Sequence, residues 1–172
     1  MLCKQENKQL IWEYNGQRMV IAPWGSNSFR VRAVAMGEIL DTDYALLEQP
    51  ESPVRIELSE KCSTITNGKI TAVVEDNDWV PTGRVSFYNQ KGELLLREAG
   101  YHGALNIIAR KFKPIIGGDY RLTMTFDSNP DEKLYGMGQY QQDIFDIKYC
   151  NFELAHRNSQ ASVPFVLSSL GY

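Results

Sequence analysis

The stretch STITNGKITAVVE, residues 63–75, decides the fold class. Asn67-Gly68 is a strong two-residue turn signal, because both residue types tolerate positive φ. Beyond it Ile70, Ala72 and Val74 recur at every second position, the period of a strand with one buried face. The reading is a hairpin of strands 63–66 and 69–75.

The same grammar extends in both directions. Leu10 to Tyr14 and Arg18 to Ala22 flank Asn15-Gly16, a second hairpin signal. Ser28 to Ala35 alternates, with Phe29, Val31 and Ala33 on one face and Arg30 and Arg32 on the other. Residues 37–53 are polar and irregular, a surface excursion in which Tyr44, Leu46 and Leu47 are the expected packing residues. Val54 to Leu58 is a strand, and Arg84 to Tyr88 pairs with Glu93 to Arg97 across Asn89-Gln90-Lys91-Gly92. Ala104 to Phe112 and Asp119 to Phe126 follow, the latter with Tyr120, Leu122, Met124 and Phe126 facing one way. No capped run of period 3.6 exceeds two turns. Short strands about every 8–12 residues, punctuated by Gly, Asn and Pro, predict an all-β chain folded as an antiparallel β-sandwich. Without repeats or low-complexity linkers, residues 1–172 are expected to form a single domain.

Composition bounds the function. The 172 residues suffice for one core, and 43% hydrophobic with 23% charged residues is globular usage. A net charge of −3 with scattered basic residues excludes a nucleic-acid footprint. No apolar run approaches the roughly 20 residues of a membrane span. Met1 to Lys8 lacks the apolar core of a signal peptide. Cys3, Cys62 and Cys150 are odd in number and widely spaced, which argues against a disulfide framework or zinc site. A reducing compartment, the cytoplasm, is the expected home.

The chain ends in KLYGMGQYQQDIFDIKYCNFELAHRNSQASVPFVLSSLGY, residues 133–172, which is not ordinary sheet scaffold. Gly136-Met137-Gly138 has no third glycine in place and no helix pattern after it, so it reads as a tight turn rather than a phosphate site. From Gln139 to about Asn151 runs a loop of aromatics, amides and charges. Loops this long in compact domains are usually functional or disordered, and this composition reads as a binding loop. Asp143 and Asp146 could flank a glycosidic bond, but loop aspartates more often cap turns. His102 and His156 lack partners at metal-ligand spacing, so no metal is expected. Trp12 and Trp24 are expected in the core with their indole N–H groups partnered. Trp79 sits in an Asp-rich turn and is ambiguous.

Several segments taken together resemble glycoside hydrolase family 31, closest to its α-xylosidase and α-glucosidase members. They are Pro23 to Arg32, Tyr135 to Gln139, Phe145 to Lys148, Glu153 to Asn158, Val163 to Phe165 and Ser168 to Tyr172, in family order along nearly the whole chain. The resemblance implies the galactose mutarotase-like N-terminal β-sandwich of these enzymes, incomplete at its C-terminal end and lacking the catalytic (β/α)8 barrel. It also implies a retaining hydrolysis of terminal α-linked xylose or glucose by the parent enzyme, without cofactor. Both catalytic aspartates belong to the barrel, so no catalytic residue is expected here and the chain alone should be inactive.

On the same implication, the 139–151 loop packs over the sugar, with Tyr140, Gln141, Phe145, Asp146 and Tyr149 as substrate-binding candidates. The partners implied are the chain's own barrel and a carbohydrate, with no nucleic acid or membrane, and open sheet edges invite self-association of the fragment. Arg157-Asn158 should anchor the return of the loop. One departure matters. Close relatives are expected to read Lys-Gly-Cys where this chain has Lys148-Tyr149-Cys150, and a tyrosine at a positive-φ turn costs about 1 kcal/mol. The alternatives are a free-standing carbohydrate-binding sandwich and, further off, an aldose epimerase using His102, His156 and Glu153.

Overall fold

A computed structural model describes residues 2–77, 80–100 and 108–172. Those residues contain thirteen strands and no helix. They divide into two compact units, Met1–Asp127 and Ser128–Tyr172. Trp79, His102 and the start of the predicted strand 104–112 lie outside the described residues.

In the first unit, β1 (Cys3–Glu6), β2 (Gln9–Tyr14), β3 (Gln17–Pro23) and β4 (Phe29–Val34) form an antiparallel meander. A second meander comprises β5 (Val54–Glu57), β6 (Cys62–Asn67), β7 (Ile70–Glu75), β8 (Arg84–Asn89) and β9 (Leu94–Arg97). Register explains the core. Pairing of Trp12 with Met19 and of Leu10 with Ile21 puts all four on one face. Ile65, Ala72, Val74 and Val85 pack against them from the second sheet. This is the predicted sandwich. Phe29, Val31 and Ala33 also pack on that core, as their alternation requires. β10 (Arg110–Pro114) pairs with β11 (Tyr120–Met124) as a separate ribbon.

Three sequence readings need correction. The hairpin of residues 63–75 turns at Gly68-Lys69, because Asn67 pairs with Ile70. Only Gly68 of these two has positive φ, 58°, as in hairpins with glycine at the first loop position. Asn67 is instead fully buried, donating to the carbonyls of Gly25 and Ser28 at 2.9 and 2.8 Å. Trp24 is half-buried outside the core, its ring 4.9 Å from the Arg30 guanidinium. Tyr44, Leu46 and Leu47 are exposed, since the excursion is tied down by charge instead: Arg30 pairs with Asp43, and Arg32 with Asp41 at 2.9 Å.

Trp12 meets its expectation. It is 1% exposed, and its indole N–H donates to the Asp76 carboxylate at 3.0–3.1 Å. Beside it, Glu98 and Arg110 form an ion pair with both side chains 2% exposed.

Candidate functional site: the loop between the last two strands

The second unit is built on β12 (Leu134–Gln139) and β13 (Ala161–Ser168). Gly136-Met137-Gly138 is not a turn but a bulge within β12, where the register with β13 shifts. All three residues have positive φ, 111°, 64° and 111°. The extra residue bends the strand. A Cβ on Gly138 would lie 2.0 Å from the Ala161 carbonyl oxygen, so only glycine fits.

Residues 140–160 connect the two strands, further than the expected limit at 151. The chain re-enters the sheet through a tight turn in which the Gln160 N–H donates to the Arg157 carbonyl at 2.9 Å. Arg157 also pairs with Glu153. The Arg157 region therefore does close the loop.

The loop is pinned from within. Asp146 Oδ1 accepts from the Leu134 and Lys148 N–H groups, both at 3.1 Å. These two backbone bonds, Leu134 first, hold its carboxyl below the usual carboxylate range. A depressed folded pKa contributes stability above the unfolded value and loses it as pH falls through the folded one. Loop anchoring should thus be constant at neutral pH and weaken only below about pH 4. An NMR titration following the Leu134 and Lys148 amides checks this; no change in either down to denaturation would contradict it. Lys148 Nζ donates to the Glu132 carbonyl at 2.9 Å and also to that of Asn129. The Ile147 N–H donates to the Leu134 carbonyl at 2.8 Å.

The five candidate residues split by placement. The Tyr140 hydroxyl donates to the Met137 carbonyl at 3.0 Å, and its ring lies 4.9 Å from that of Phe152. Tyr140 and Asp146 are therefore structural members of the loop. Gln141 is exposed. Phe145 and Tyr149 are 84% and 85% exposed, Phe145 with its ring 4.8 Å from Tyr135. A pocket of about 210 Å3 beside the bulge is lined by Gly138, Tyr140, Gln142, Ile144 and Phe152 among others. Phe152, Gln142 and Ile144 were not singled out by sequence, and nothing local marks them.

No family model matches the chain. It is 44% identical over 178 residues to an uncharacterized family 31 glucosidase of Pseudescherichia vulneris, covering 94% of this chain and 33% of that protein. The crystal structure of a family 31 α-xylosidase from a soil metagenome, complexed with xylose, superposes with a TM-score of 0.90 at 43% identity. That match covers 98% of this chain and 27% of the other. The chain matches an N-terminal-like portion of glycoside hydrolase family 31 proteins. A Xanthomonas citri α-xylosidase of the family shares the fold at 23% identity and TM-score 0.78, over 96% of this chain and 18% of that one. The chain thus spans about a third of the length of the first relative, 33%.

The backbone at Tyr149, where the sequence reading expects glycine in relatives, is left-handed. Tyr149 sits at φ 64°, the left-handed region that glycine occupies freely. Tyr149→Gly should stabilise the loop by about 1 kcal/mol, less what glycine adds to unfolded-chain entropy. Slower amide exchange at Leu134 and Ile147 would show it; faster exchange would refute it.

The epimerase set is not assembled among the described residues. His102 lies outside them, the Glu153 carboxylate is paired with Arg157, and His156 Nδ1 accepts from the Ser162 N–H at 3.4 Å. Among the described residues no group of three or more His, Cys, Asp or Glu could hold a metal ion. No helix there is long and apolar enough to cross a membrane.

Proposed function

We propose that this chain is the non-catalytic N-terminal β-sandwich domain, residues 1–172, of a retaining α-glycosidase that hydrolyses terminal α-linked xylose or glucose. The observation that carries this reading is the 43% identity and TM-score of 0.90 to a xylose-bound α-xylosidase over 98% of the chain. Its role is to pack on a catalytic barrel and hold the 139–151 loop over the sugar. Tyr140 and Asp146 shape the loop, and Gln141, Phe145 and Tyr149 meet the substrate. Two exposed rings on a pinned stem support this division, since aromatic faces bury sugar C–H groups well. Three free thiols suit a cytoplasmic home.

The chain alone should not hydrolyse p-nitrophenyl α-xyloside or α-glucoside. In a protein carrying the barrel, Phe145→Ala should raise KM more than it lowers kcat. Sequencing the source gene past the Tyr172 codon tests the reading further. A stop codon there, together with oligosaccharide binding by the chain alone, would favour a free-standing binding module. Without the barrel, the open sheet edge at β13 should pair with a second copy. A strict monomer in sedimentation at high concentration would overturn that.

A further inference from the structure

A groove of about 550 Å3 lies on the first unit, away from the loop site. It is lined by parts of β3 and β4 and by the excursion, and its size is that of small-ligand sites, roughly 300–1,000 Å3. Register explains its floor. Val20 pairs with Arg32 and Ala22 with Arg30, so both arginines stand on the sheet face opposite the core.

Three features define what would bind. Three cations and four carboxylates line the groove, leaving it almost neutral. Arg30 is held by Asp43 and Arg32 by Asp41, so donors and acceptors alternate in fixed places. That pattern disfavours an anion and suits hydroxyls, each of which donates and accepts. The Trp24 ring lines the same groove, positioned by Arg30 at 4.9 Å.

We propose that this groove is a second carbohydrate site that takes a short, uncharged oligosaccharide against Trp24, with sugar hydroxyls bonded to the Arg32 guanidinium and the carboxylates that line it. It does not depend on the role assigned to the 139–151 loop.

The test is NMR titration of the isotope-labelled 172-residue chain with isomaltotriose and xylobiose, using inorganic phosphate as the anionic control. The Trp24 indole and Arg32 Nε–H signals should shift saturably with a sugar and stay still with phosphate. Arg32→Lys keeps the charge but removes the planar guanidinium, and Trp24→Ala removes the ring. Each should weaken binding about tenfold, an effect of one lost hydrogen bond or ring contact. Should Trp24→Ala fail to fold, Arg32→Lys decides. The proposal is overturned if neither signal moves, if shifts are confined to residues 139–151, if phosphate competes, or if folded Arg32→Lys binds like the wild type.

Discussion

Glu98→Ala is expected to cost the sandwich about 3–5 kcal/mol, because it leaves a buried guanidinium without its counter-charge. Glu98 accepts from the Val85 N–H at 2.9 Å as well as from Arg110. Arg110 donates to the carbonyls of Thr82 and Gly83 at 2.6 and 3.0 Å and lies 5.7 Å over the Trp12 ring. One carboxylate thus joins β8 to β10 beside the core tryptophan. Domains have only about 5–15 kcal/mol in total, so the variant should unfold early in urea. Replacing both partners together, Glu98→Leu with Arg110→Met, should cost less than the single change, since an intact buried pair gains little over apolar packing. A single variant within 1 kcal/mol of the wild type would show that water reaches this pair.

Gly138→Ala should release the loop. Its φ of 111° is hostile to any side chain, and the new Cβ would meet the Ala161 carbonyl at 2.0 Å. Both obstacles are backbone, so no rotamer change relieves them. Strain of about 1–3 kcal/mol and a similar overpacking cost add at one position. The expected result is a loss of about 3 kcal/mol or more from the β12–β13 ribbon. Amide exchange should accelerate in residues 134–139 and 161–168 and remain unchanged in β2, β3 and β7. Equal protection of the ribbon in both proteins would mean that the bulge tolerates a side chain.

What the sequence revealed was local. Period-two alternation located β4, β7 and β11, and Asn15-Gly16 marked its turn, because strand faces and two-residue loops are settled within a few residues. Asn67 misled for the opposite reason. Its side chain is captured by Gly25 and Ser28, some forty positions away, and the turn moved on by one. Trp24 and the excursion failed similarly, since Arg30 and Arg32 pair with Asp43 and Asp41 rather than leaving apolar residues to do the packing. The loop's location was legible from composition, but the placement of its side chains was not. Only coordinates show Asp146 and Tyr140 turned toward their own backbone, with Phe145 and Tyr149 left outside.

The two meanders also bear on how the chain finds its structure. Within each sheet every strand pairs with its neighbour in sequence, from β1 to β4 and from β5 to β9. Registers can therefore be set by nearby residues before distant ones meet, the circumstance in which small domains fold fastest. What remains is one long closure, the face-to-face meeting of the two meanders across residues 35–53. Its entropy grows only logarithmically with the length of that connection, by about 0.6 kcal/mol per doubling. An irregular excursion of this length is thus nearly free to vary, and the order of assembly is written into the order of the strands.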